Sequence, residues 1–134
     1  MPKAIFVNLS CKDLTRSKTF FEALGFSFNP KFTNGEAACL VISDAIYAML
    51  HTPTSFRRFT RKPIADAHET TEALLAIQVD SKDEVDGLMK KVLAAGGRES
   101  REPENHGFMY GRAFEDPDGH IWELFWMDSK AVPK

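Results

Sequence analysis

The sequence predicts an α+β fold made of two copies of a βαβββ unit, and three observations carry that prediction. A strand-like run followed by an amphipathic helix occurs twice. Each helix meets a glycine placed to end it, Gly25 and Gly96, 71 residues apart. Each glycine is followed by more strand-like sequence, and the last two of those strands are joined by "DPDG" at 116–119. In such a turn proline presets φ and glycine supplies a positive one.

In the first unit, "IFVNLSC" from Ile5 to Cys11 reads as a strand and Asp13 as the N-cap of a helix. Leu14, Ser17, Phe20, Phe21 and Leu24 fall on one face of that helix. Strands are expected over Phe26 to Phe32, Ala37 to Ser43 and Ile46 to His51, with "SDA" at 43–45 as a tight turn. Residues 52–71 are polar, basic and weakly periodic, a linker long enough to cover a cavity or a partner surface. The second unit opens on "LLAIQVD" from Leu74, then "SKDE" at 81–84 as a capping box, then the stripe Val85, Leu88, Met89 and Val92. Strands follow at Arg98 to Arg101, Met109 to Glu115 and His120 to Met127. The organisation is thus residues 1–51, a linker 52–71, residues 72–128 and a loose tail 129–134, all expected to form a single domain.

Composition narrows the function. With 134 residues, 43% apolar and 27% charged, the chain has the make-up of an ordinary folded domain. A net charge of −2 gives no general attraction to nucleic acid or to an anionic membrane. Arg57, Arg58, Arg61 and Lys62 form a local basic cluster, read as a solvated loop with an anion site as the alternative. No apolar run has membrane-spanning length, no signal peptide is evident, and Cys11 and Cys39 form no CxxC motif or disulfide framework. A cytoplasmic protein is expected, with no nucleic-acid or membrane partner.

The pattern "DLTRSKTFFEALGFSF" after the first strand and "FEDPDGHIWEL" at the last hairpin resembles the glyoxalase, bleomycin-resistance and extradiol dioxygenase superfamily, the vicinal oxygen chelate proteins. The likeness covers almost the whole chain. It implies two βαβββ units forming a half-barrel around a small-molecule cavity, commonly within a homodimer. It also implies up to four metal donors, His or Glu, on four strands. Transferred to this chain, those positions fall on Phe6, near Met49, on Leu74 and on Glu123. Only Glu123 is a donor, whereas a catalytic divalent ion needs about three protein ligands at about 2 Å. A slip of two residues would replace Met49 by His51, and Asn8 shares the face of Phe6, which still leaves the set short. His68, His106 and His120 read as solvated rather than ligating.

Alternation places Ile121, Glu123, Phe125 and Met127 on one face of the last strand and His120, Trp122, Leu124 and Trp126 on the other. If the hairpin pairs Glu115 with His120, Arg112 stands opposite Glu123 as its ion-pair partner or as an anchor for an anionic or carbonyl-bearing ligand; a bulge in the turn would separate them. The expected ligand-binding set is Phe6, Asn8, Tyr47, Met49, His51, Leu74, Tyr110, Arg112 and Glu123. The reading that follows is small-molecule binding without a complete metal site and with no cofactor. The alternatives are a metal-dependent lyase or dioxygenase resembling glyoxalase I, and a metal-free enzyme with Glu123 or His51 as general base.

Overall fold

A computed structural model describes residues 1–130, and the chain divides into two compact units, Met1–Asp66 and Ala67–Lys134. Each carries one four-stranded mixed sheet. The tail assigned to 129–134 falls outside the described residues from 131 onward.

In the first unit the elements are β1 (Ile5–Ser10), α1 (Leu14–Ala23), β2 (Ser27–Asn29), β3 (Ala37–Val41), β4 (Ile46–His51) and the short α2 (Pro53–Phe56). The strands lie in the order β1-β4-β3-β2, with β1 parallel to β4 and the other pairs antiparallel. Asp13 caps α1 by accepting the amide of Arg16, and Gly25 leaves the helix at φ 101°, a conformation only glycine adopts without strain. Leu14, Ser17, Phe20 and Phe21 are buried beside Leu9, Ala38, Leu40, Ala48 and Leu50. Each fully buried Leu or Phe contributes about 1.5–3 kcal/mol relative to leaving it in water. The strand expected over Phe26 to Phe32 is only Ser27–Asn29. Pro30 cannot donate to a sheet ladder, and Pro30–Phe32 form a 3-10 turn that the Asn29 side chain caps at the Lys31 amide. The segment expected to be all linker holds α2, whose N-cap is Thr52.

The second unit runs β5 (Leu74–Gln78), α3 (Lys82–Ala94), β6 (Arg98–Asn105), β7 (Met109–Glu115) and β8 (Ile121–Met127), in the sheet order β5-β8-β7-β6. Ser81 caps α3 by accepting the Glu84 amide, while the Glu84 carboxylate reaches back to the amide of Asp80, one residue earlier than in the usual capping box. Val85, Met89 and Val92 are buried against Phe114, Trp122 and Leu124. β6 is twice the expected length and carries two register irregularities, one between Glu99 and Arg101 and one between Arg101 and Glu104.

The last hairpin pairs Glu115 with Ile121, not with His120. The buried Asp116 sets this register: one carboxylate oxygen accepts the amides of Asp118 and His120 and the other accepts the Trp122 indole N–H at 3.0 Å. Burial pushes its carboxyl up from the usual range, against the pull of nearby His120 and the Trp122 bond. At the tip Gly119 has φ 86°, and a Cβ there would stand 2.8 Å from the backbone of Ala67 and His68. His120 is buried and bonds Glu72 at 2.9 Å, so the reading of it as solvated is corrected.

Candidate functional site

In the first unit one sheet face packs on α1; the other, the open face, is covered by α2 at the His51 end and leaves Phe6 and Asn8 exposed. Parallel pairing sets Phe6 beside Tyr47, Asn8 beside Met49 and Ser10 beside His51, all on the open face. Met49 and His51 therefore share that face, and no register slip is needed to bring His51 to it. Phe6, 51% exposed, stacks on Tyr47 with ring centroids 4.6 Å apart and planes 15° from parallel. The Tyr47 hydroxyl donates to the Asp44 carbonyl at 2.7 Å, which fixes the ring.

His51 is buried, with Phe56 and Phe59 against its ring. Its Nε2 lies 2.8 Å from Asn8 Oδ1 and its Nδ1 2.9 Å from Ser55 Oγ. The Asn8 amide N–H donates to the Phe6 carbonyl, so Oδ1 is the atom turned to the imidazole and must accept from it. Nε2 then carries the proton and Nδ1 accepts from the Ser55 hydroxyl. Burial holds the His51 pKa below its ordinary value, which keeps the ring neutral at pH 7.

In the second unit the open face carries Leu74, Ala76 and Gln78 of β5 beside Ile121, Glu123 and Phe125 of β8. Leu74 is 71% exposed. Ala113, not Arg112, stands opposite Glu123, and Arg112 stands opposite Leu124 on the α3 side. The expected Arg112–Glu123 pair is therefore corrected: the hairpin closes one residue later than assumed, and one residue of register moves every side chain to the other face. The partner of Glu123 is Arg101 of β6, 2.6 Å from Glu123 Oε2. It reaches across the small Ala113, and the carboxylate lies over Gly111, where a Cβ would meet Glu123 Oε1 at 3.1 Å.

The bulge at Ser100 makes this possible. Glu99 and Arg101 are two residues apart and would share a face in a regular strand. With Ser100 unpaired, Glu99 pairs with Phe114 on the α3 side and Arg101 with Ala113 on the open side. Glu99 then holds Arg112 at both Nε and Nη2, 2.8 and 2.9 Å, while Arg112 Nη1 and the Tyr110 hydroxyl both donate to Asp86 of α3, at 3.0 and 2.6 Å. The hydrogen bonds from Tyr110 and Arg112 pull the Asp86 carboxyl down, those from Arg112 do the same to Glu99, and desolvation with Asp86 pushes the Tyr110 phenol up. Tyr110 and Arg112 thus belong to an ion-pair network on the helix side and are not brought together with Glu123. Nothing in the sequence marked Arg101 for this role, because its face depends on the bulge.

The four positions that the resemblance assigns to metal donors hold Phe6, Met49, Leu74 and Glu123, one carboxylate and three side chains that offer a hard cation no useful donor. The carboxylate is already bonded to Arg101. Among the described residues no group of three or more His, Cys, Asp or Glu is gathered as a metal ion requires. Of the other histidines, His68 and His106 are exposed, and His106 bonds Glu104 at 3.4 Å. Arg58 of the basic cluster pairs with Glu36 at 2.9 Å. No helix among the described residues is long and apolar enough to cross a membrane.

Comparison with solved structures gives the same architecture. A hypothetical protein, SA1046, from S. aureus is 29% identical over 94% of each chain, with a TM-score of 0.79. A glyoxalase-related enzyme from Fulvimarina pelagi is 24% identical, covering 94% of this chain and 88% of that one, with a TM-score of 0.77. A lactoylglutathione lyase from Agrobacterium tumefaciens is 20% identical over 93% and 94%, with a TM-score of 0.69. No curated protein matches the chain. The description "Glyoxalase/Bleomycin resistance protein/Dioxygenase superfamily" matches residues 4–124, and with two βαβββ units in the expected order the chain belongs to that superfamily.

Proposed function

We propose that this chain binds a small organic molecule against its open sheet faces and does so without a complete metal site. The observation that carries the reading is the chemistry of the donor positions: Phe6 and Leu74, where the superfamily resemblance implies metal ligands, are apolar and 51% and 71% exposed. Exposed apolar surface marks an interaction site, and apolar residues with a few fixed polar groups are the composition of small-molecule sites. The one carboxylate of the set, Glu123, is engaged with Arg101. The reading of His51 as general base has no comparable support, since both ring nitrogens are hydrogen-bonded.

The test is elemental analysis of protein purified without chelators, together with a thermal-shift screen of small oxidised metabolites, hydrophobic drugs and thiol conjugates. Expected are far less than one divalent ion per chain and a rise in Tm with apolar compounds. One tightly held divalent ion per chain, lost in Glu123→Gln, would overturn the metal-free reading in favour of the metal-dependent alternative.

A further inference from the structure

We propose that Asn8 is the specificity-determining residue on the open face of the first unit, and that it selects a planar aromatic ligand carrying a hydrogen-bond acceptor. This rests on the binding reading above and names its ligand class. The aromatic half of the preference comes from Phe6, whose ring is backed by Tyr47 and half exposed. A flat, rigid aromatic surface of this kind favours stacking by another ring.

The acceptor half comes from Asn8, two residues along β1 on the same face and so roughly 6.6 Å further along the strand, the length of a bicyclic ring. An asparagine on a surface can turn either its carbonyl or its amide outward, but this one is held. Ser55 Oγ–H donates to His51 Nδ1, His51 Nε2–H donates to Asn8 Oδ1, and one Asn8 Nδ2–H donates to the Phe6 carbonyl at 3.3 Å. All three bonds run in one direction, and reversing the amide would set Oδ1 against a carbonyl oxygen. The carbonyl of Asn8 is spent inward. The second Nδ2–H is the polar group that remains for a ligand, and it is a donor. His51 and Ser55, both buried, are positioning residues that keep it so.

The probes are three bicyclic compounds of similar shape, followed by NMR titration at pH 8: isoquinoline, which has an acceptor, naphthalene, which has neither group, and indole, which has a donor. Isoquinoline is expected to bind about fivefold more tightly than naphthalene or indole, the worth of one neutral hydrogen bond. Phe6→Ala should weaken all three. Asn8→Ala, which removes the N–H, should make isoquinoline and naphthalene bind equally, and Ser55→Ala should reduce the preference by freeing the amide. A preference for isoquinoline kept in full by Asn8→Ala overturns the role of Asn8. Equal binding of isoquinoline and naphthalene by the unmodified protein overturns the acceptor selection while leaving the binding function standing. The absence of binding by every probe here and every compound of the thermal-shift screen overturns both.

Discussion

The two units share a strand order and a helix position, yet they stabilise the polar groups on their open faces by different physics. In the first, polarity is neutral: hydroxyl, imidazole and amide pass hydrogen bonds from Ser55 through His51 to Asn8. In the second, it is ionic: Arg101 meets Glu123 on the open face, and Arg112 joins Glu99 and Asp86 on the other. The difference follows from one retained carboxylate. Glu123 lies beside Leu74, Ile121 and Phe125, where a cation offsets its charge, and the bulge at Ser100 turns Arg101 toward it. The first unit, with no carboxylate among Phe6, Asn8, Tyr47, Met49 and His51, needs none.

The largest way to separate the units is Trp122→Phe. It leaves the buried Asp116 short of its indole donor, an unsatisfied group that costs about 1–3 kcal/mol, with a packing loss added. A volume-conserving change in the first unit, Leu50→Met, costs less than about 1.5 kcal/mol. Urea unfolding followed by amide hydrogen exchange, read unit by unit, should show the loss confined to residues 67–130; equal losses in both units would refute the assignment.

Acid should separate them next. The folded pKa of His51 is lowered from 6.5, so its contribution to stability is complete above 6.5 and is lost as pH falls through the folded value. Glu99 and Asp86 are also lowered, from 4.5 and 3.8, so their contributions are complete above those values and lost only at still lower pH. Asp116, shifted upward, runs the other way, and its protonation relieves the second unit. Hydrogen exchange across a pH series should therefore show the first unit losing protection before the second, and the reverse order would contradict the placement of His51. Salt gives the smallest effect. Arg101→Met should cost about 0.2–1 kcal/mol at low ionic strength, because the pair is partly exposed, and less in about 1 M salt, where the Debye length is about 3 Å. Ser55→Ala should show no such salt dependence in chemical denaturation.

Alternation and capping were legible in the sequence because they are local. Asp13, Ser81, Gly25 and Gly96 do what their positions predict, and the two faces of β8 separate as expected, with Trp122 and Leu124 buried. Pairing was less legible. "DPDG" signals a hairpin, but its register is set by the Asp116 carboxylate accepting amides two and four residues on, which closes the hairpin at Ile121 and takes Arg112 off the face of Glu123. The Arg101–Glu123 contact spans three strands and depends on a bulge, so neither period nor spacing could reveal it. At the first-unit site, the superfamily resemblance pointed to Phe6 and Met49 and strand alternation to Asn8, Tyr47 and His51, and the parallel register of β1 with β4 sets all five on one face. Ser55 was missed because it lies on a helical turn inside a segment read as linker.

The parallel pairing of β5 with β8 also bears on the order in which the chain can fold during synthesis. The first sheet has all its strands once residue 51 has been made, whereas Leu74–Gln78, among the described residues, pair with Ile121–Met127 alone, and the Gly119 turn packs on Ala67 and His68. On the ribosome the apolar β5 emerges before its partner β8, at a point where all four strands of the first sheet have already been made. Between the synthesis of Gln78 and that of Met127 the nascent chain carries β5 without its pairing strand, and a chaperone that recognises extended apolar segments would find β5 available throughout that interval.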